Sequence, residues 1–244
     1  MPLDVAFIRE QLPGRQIVWF DTVGSTMTEA AGLPPKTVVL AEEQLAGQGR
    51  HGRSWYSERD AGLYVSLVLR LPLSNDHAPA LTLALGLAAA EAIARTAGLA
   101  CDLRWPNDVL LDGKKCAGIL VEVQLPVFIA GIGVNVNHSQ FPPELAEAAT
   151  SLYLASGRTH SRERLLLELV RAVDSFTRML VEGGKEPVLR MFSRASSYVR
   201  GRRVIVDGAL EGTTDGLNPS GFLRLRRDDG SSRLVLAGGV RPAE

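Results

Sequence analysis

Cysteine is scarce in this chain, with only Cys101 and Cys116 present. Two cysteines exclude a disulfide framework, and neither their spacing nor the four scattered histidines offers a metal-ligand pattern. No protein-held metal is expected. Net charge is lacking too, because 27 basic residues balance 27 acidic ones. No global field therefore draws the molecule to nucleic acid or anionic membrane, and any polyanion contact has to be local. The first residues, "MPLDVAFIREQLPG", carry acids and a proline without a basic leader before an apolar run, so they resemble no export signal. An uninterrupted hydrophobic span is also missing: the most apolar stretch, "APALTLALGLAAAEAIARTAGLA", is rich in alanine and broken by Glu91 and Arg95. That suits a buried core helix better than a membrane crossing. These absences predict a cytoplasmic protein without a membrane partner, and there are no repeats, charge blocks or low-complexity linkers to suggest otherwise.

What is present is a chain of 244 residues, 45% of them hydrophobic, enough for one substantial domain and a small one. "QIVWF" at 16–20 reads as a strand, followed by a short helix in "GSTMTEAAGL", where Thr26 and Glu29 have capping-box spacing. "TVVLAEEQ" from Thr37 and "GLYVSLVLRLP" from Gly62 are strands, the second closed by Pro72. Helix resumes near Pro79 and ends at Gly98. "CDLRW", "DVLL", "CAGILVEV" and "FIAGIGVNVN" are then short strand-like runs separated by turn residues. Leu165, Leu166, Leu169, Val173, Phe176 and Leu180 recur at helical spacing after Ser161, with Gly183 and Gly184 as the stop, and a further helix is expected over Pro187 to Tyr198. This order predicts an α+β fold. From Gly201 the chain turns to brief alternating runs joined by "DG", "NPSG" and "DDGS" turns, material for a small SH3-like β-barrel. So few residues are near the lower limit for independent stability, so this unit should pack on the larger one. The expected boundaries are 1–198 and 199–244.

"GQGRHGRSW" at 47–55 has three glycines at the spacing of a dinucleotide fingerprint. A dinucleotide site needs a helix after the last glycine, but "RSWYSERDAG" offers serines, charges and a turn leading to a strand. A kinase-type glycine loop also lies between strands, yet the catalytic and metal-binding signatures of kinases are absent. What remains is either an ordinary solvated loop or a phosphate-binding one. In the latter, Arg50 and Arg53 bring forked guanidiniums and the glycines let backbone N–H groups approach an anion. In "RWPNDVLLDGKKCAGILVE" at 104–122, each residue alone reads blandly: Trp105 as core, Asn107 and Asp108 as turn formers, Lys114 and Lys115 as solvated charges. Together they offer a carboxylate, an amide and a lysine beside an apolar wall, the means to position a charged substrate.

With both segments quoted, the chain resembles the biotin protein ligases, that is, the biotin–[acetyl-CoA-carboxylase] ligases. The match runs nearly end to end through "GST" at 24–26, "AEEQLAGQGRHGRSW" at 41–55, "LYVSLVLR" at 63–70, "RWPNDVLLDGKKCAGILVE" at 104–122 and "GIGVNVN" at 131–137. The resemblance implies a mixed sheet with helices packed on one side and an SH3-like C-terminal domain. It also implies a two-step reaction. Biotin and MgATP give biotinyl-5′-adenylate and pyrophosphate, and a lysine of a biotin carboxyl carrier protein, of acetyl-CoA carboxylase or a related carboxylase, then takes the acyl group. By the same resemblance Ser25, Thr26 and Gln44 match contacts to the ureido end of biotin, and Gly49 and Arg50 match the substrate-closing loop. Lys115 corresponds to the lysine near the biotin carboxylate and α-phosphate. Arg53, Trp55, Asn107 and Asn135 are assigned to the nucleotide, and Asp108 to orienting the acceptor amine. Lys115, Arg50 and Asp108 are the expected catalytic set; ATP, Mg²⁺ and biotin are the expected small molecules.

Two positions depart from the family pattern: Gln48 stands where an arginine is frequent, and Gly239 where relatives often carry an acid. Repressor members of the family carry an N-terminal winged helix-turn-helix of about 60 residues, whereas only about 15 precede "QIVWF". A ligase without DNA binding is therefore expected, and many relatives form homodimers. Ordering nine loop residues costs on the order of 10 kcal/mol if they begin fully mobile. Closure of 47–55 is therefore expected to be driven by ligand contacts. The alternatives are a lipoate or octanoate ligase, which shares the fold, and a non-enzymatic module in which Arg50, Arg53 and Trp55 hold single-stranded nucleic acid.

Overall fold

A computed structural model describes residues 1–243 of the chain; the expected C-terminal unit runs to Glu244, which lies outside the described residues. The first half lays down strands β1 (Gln16–Val23), β2 (Thr37–Gln44) and β3 (Gly62–Arg70), with helices α1 (Val5–Gln11) and α2 (Thr26–Ala30) before and between them. Helix α3 (Ala78–Ala97) follows, then β4 (Asp102–Arg104), β5 (Asp108–Leu111), β6 (Lys114–Gln124) and β7 (Val127–Asn135). These seven strands form one sheet in the order β1-β2-β3-β7-β6-β5-β4. Only β1 and β2 pair in parallel, so the sheet is mixed, as expected.

Period-two alternation gives the sheet two unlike faces. Val38, Leu40, Leu63, Val65, Leu67, Phe128, Ala130, Ile132 and Val134 face the main core. There they meet α3 and α5 (Arg162–Gly183), which are packed against each other. Pro79 lies in the first turn of α3, and Gly98 closes it in the left-handed conformation that a glycine adopts without Cβ strain. Leu81, Leu85 and Ile93 on α3 are wholly buried, each worth about 1.5–3 kcal/mol of transfer free energy. By length and composition the segment Asn75–Ala97 could cross a membrane, but 61% of its apolar window is buried inside the protein. The expectation of helices on one side holds for this long pair. The short α2 departs from it and lies on the opposite face, where Met27 and Ala30 pack on Val39, Val68 and Ile129.

Three local expectations shift. The cap of α2 is Ser25, whose hydroxyl accepts the Met27 N–H, not Thr26; the Thr26 side chain is occupied by Gln44 and Ser66 instead. The helix expected over Pro187–Tyr198 is α6 (Lys185–Ala195), starting two residues earlier and stopping before the buried Tyr198. α1 and α4 (Leu152–Ser156) were not expected at all.

Beyond residue 199, β8 (Arg200–Val206), β9 (Leu210–Leu217), β10 (Leu223–Arg226), β11 (Ser232–Val235) and β12 (Val240–Pro242) form a second, antiparallel sheet ordered β11-β10-β9-β8-β12. It packs on the larger unit as its size requires. The Trp105 indole donates to the Gly221 carbonyl at 2.9 Å, and the guanidiniums of Arg104 and Arg202 lie 5.8 and 4.9 Å from the Tyr198 ring centroid.

Candidate active site

The face of the seven-stranded sheet away from α3 is built small. Gly118 on β6 pairs with Gly133 on β7, and Gly131 lies two residues along. Side chains from elsewhere use the room: a Cβ at Gly131 would meet the Met27 sulfur at 2.6 Å, and one at Gly133 would meet the Trp55 indole at 2.5 Å. These glycines form the floor of a cavity of about 150 Å³. The Trp55 Nε1–H is buried there without an acceptor among the described residues, a donor that a ligand could satisfy.

One end of the cavity is a neutral hydrogen-bonding corner. The Gln44 side-chain oxygen accepts from the Thr26 backbone at 2.8 Å and from its hydroxyl at 3.1 Å, while its amide donates to Ser57 at 2.9 Å. Ser66 closes the chain by donating to Thr26 at 2.9 Å. The other end is charged. Lys115, at the start of β6, holds Asp108 at 2.5 Å, and Arg104 holds the other oxygen of Asp108 at 2.8 Å. Burial opposes ionisation of Asp108, but the two cations outweigh it and keep its carboxyl below the ordinary value. Lys115 also lies 5.2 Å from the Trp55 ring, within cation–π range.

Over this floor runs the segment 47–55, folded as a narrow hairpin: Gly49 N–H donates to the Arg53 carbonyl at 2.7 Å and Trp55 N–H to the Gly47 carbonyl at 2.8 Å. A Cβ at Gly47 would sit 2.6 Å from the Trp55 carbonyl oxygen, so the closure requires glycine there. Arg50 reaches Asn107 at 3.4 Å, and Asn107 in turn donates to the Ile119 carbonyl at 2.9 Å. Burial draws the Arg50 guanidinium below its ordinary value, opposed by Asp108 and Asp207.

Thr26, Gln44, Gly49, Arg50, Arg53, Trp55, Asn107, Asp108 and Lys115, all singled out in the sequence, line this one cavity. Ser25 and Asn135 are not among the lining residues: Ser25 caps α2, and Asn135 donates to the Thr150 carbonyl at 3.0 Å, while Thr150 N–H donates to the Lys115 carbonyl at 2.9 Å. The sequence reading missed Met27, the glycine floor, Arg104 as the second partner of Asp108, and Gly238; Gly239, noted there as a departure from the family pattern, lines the cavity beside it from the loop before β12. Small residues alternating at 131 and 133 were the available signal for the floor.

Residues 25–138 match the model of the biotin/lipoate A/B protein ligase family. The biotin–[acetyl-CoA-carboxylase] ligase of Mycobacterium tuberculosis is 34% identical over 98% of this chain and 92% of its own length. The chain belongs to the biotin/lipoate A/B protein ligase family. Other members agree: the bifunctional ligase/repressor BirA of Bacillus subtilis is 32% identical over 94% of this chain and 75% of that protein. The biotin protein ligase of Aquifex aeolicus, solved in complex with biotin and ATP, superposes with a TM-score of 0.85 at 29% identity, covering 93% of this chain and 99% of that one. The matched segment of the family contains every site residue named in the sequence reading.

Proposed function

We propose that this member of the family is a biotin protein ligase. It joins biotin to ATP as biotinyl-5′-adenylate, and then passes the acyl group to a lysine of a biotin carboxyl carrier domain. The observation that carries the reading is the polarity of the cavity: a neutral hydrogen-bonding corner at one end, cations at the other, and a glycine floor between. A ureido ring needs donors and acceptors together, which Thr26 and Gln44 provide. A dithiolane or an alkyl chain has no donor or acceptor to exchange with this corner, whose groups are already bonded to one another, and so gains nothing from its polarity, which argues against the lipoate and octanoate alternatives. The nucleic-acid reading is the weaker one, since Arg50, Arg53 and Lys115 converge on one cavity and are not strung along a groove with a series of stacking rings.

In the first step a carboxylate oxygen attacks the α-phosphorus and pyrophosphate departs. Two anions must approach, and the roles of Lys115, Arg50 and Arg53 are to neutralise them and align the attack. Magnesium enters as part of the MgATP substrate. Asp108, the carboxylate that lines the cavity, is already paired twice. Trp55 and Asn107 flank the nucleotide in this reading, with Asn135 acting from behind. In the second step the carrier amine attacks the acyl carbon, AMP leaves, and the amine loses a proton; Asp108 orients that amine. The second sheet, from residue 199, is assigned as an SH3-like domain, and a cytoplasmic setting follows from the ATP and carrier requirements. The test is carrier labelling followed by intact mass. A biotin carboxyl carrier domain should gain one biotinyl group with biotin and MgATP and nothing with lipoate or octanoate. The reverse preference would refute the assignment.

A further inference from the structure

The C-terminal sheet touches the cavity at one charged point. β8 and β9 are joined by a tight turn in which Asp207 (φ 48°) and Gly208 (φ 71°) are both left-handed, with Ala209 N–H donating to the Val206 carbonyl at 3.1 Å. This geometry suits an Asp-Gly pair. The turn is bound to residue 239 in both directions: Asp207 N–H donates to the Gly239 carbonyl at 3.1 Å, and the Asp207 carboxylate accepts the Gly239 N–H at 2.7 Å. The same carboxylate oxygen lies 3.9 Å from the Arg53 guanidinium. Gly238 leaves that carboxylate room because it lacks a side chain, and Gly239 lies beside the path. A Cβ at Gly238 would fall 2.5 Å from the Asp207 carboxylate, and one at Gly239 would fall 3.4 Å from the Arg53 guanidinium. Gly238, Gly239 and Arg53 all line the cavity.

We propose that Asp207 is a positioning residue that latches the 47–55 loop from the C-terminal sheet, engaging Arg53 and holding the loop closed over the acyl-adenylate. This rests on the ligase reading. The reaction it suppresses is hydrolysis: water attacks the acyl carbon of the mixed anhydride, the bond from that carbon to the bridging oxygen breaks, and biotin carboxylate and AMP separate with release of two protons. An adenylate waiting for its carrier is exposed to this loss whenever the loop opens. Asp207 acts through Arg53 and touches no reacting atom.

Asp207→Asn isolates the charge. Asparagine tolerates the left-handed backbone and still accepts the Gly239 N–H through its side-chain oxygen, so the turn is kept. The full-length protein is given biotin, MgATP and pyrophosphatase without carrier, and AMP release is followed for wild type, Asp207→Asn, Arg53→Gln and the double variant. Both partners are more than half exposed, so the expected effect is modest: Asp207→Asn releases AMP about two- to fivefold faster. The double variant is no faster than Arg53→Gln alone. Equal release by Asp207→Asn and wild type, or effects that multiply in the double variant, would overturn the latch. Amide exchange separates this from failure of the ligase reading, because it needs no turnover. Residues 49–53 should exchange faster in Asp207→Asn than in wild type even if neither makes AMP, and equal exchange would count against the latch on its own.

Discussion

Glu42 with Arg162 and Asp108 with Lys115 are both carboxylate–cation contacts, at 2.8 and 2.5 Å, but their surroundings differ. Glu42 and Arg162 are closed off, with side chains 0% and 3% exposed. One Glu42 oxygen accepts from the Leu3 backbone at 2.6 Å and from Trp19 at 3.2 Å, and Arg162 donates to the Gly62 and Met1 carbonyls as well. Such a pair ties the N-terminal segment, β2 and the start of α5 together, and has no capacity left for a ligand. The Lys115 side chain, by contrast, is 29% exposed and shares Asp108 with Arg104. If Lys115 turns to a substrate anion, Asp108 keeps a partner. A saturated pair holds structure; a pair with a spare cation can exchange partners.

Breaking the closed pair should have the largest effect on folding. Arg162→Ala leaves Glu42 buried and uncompensated, with an expected loss of about 3–5 kcal/mol in chemical unfolding. A loss under about 1 kcal/mol would show that water reaches Glu42. The open pair titrates at the acid edge. Because Asp108 is held below its ordinary value of 3.8, its contribution to stability is complete above that value and is lost as the pH falls through the lower folded one. Asp108→Asn should flatten the acid limb of the stability profile below about pH 4, a smaller effect than that of Arg162→Ala. An unchanged limb would mean that Asp108 gains nothing from its cations.

The two pairs were not equally legible in the sequence. Asp108 and Lys115 lie seven positions apart in one quoted segment, whereas Glu42 and Arg162 are separated by 120, and no local pattern joins residues so far apart. The same contrast runs through the fold. β2 was read at its observed limits because it opens on a β-branched and apolar run, Thr37 to Ala41, and α3 was bounded by Pro79 and Gly98. α1 escaped notice because only Ile8 of its seven residues is buried, too little for a periodic signal. Within the site, residues with charged or hydrogen-bonding side chains could be named from their chemistry. Gly118, Gly131 and Gly133 matter for what they lack, and only strand pairing showed that they lie together. Asp207 read as a turn former, which it is; its second role depends on where the turn is placed.

The central claim is that Lys115 neutralises the approach of a carboxylate to a nucleotide phosphate. Biotin-dependent exchange of labelled pyrophosphate into ATP tests it most directly, comparing wild type with Lys115→Ala at matched folded concentration. Wild type should exchange only when biotin is present. The variant should lose about 10²- to 10³-fold while its unfolding free energy changes by about 1 kcal/mol or less, since Arg104 still pairs with Asp108. Equal exchange by the two proteins would remove Lys115 from the first step, and a folded wild type with no biotin-dependent exchange would contradict the account as a whole.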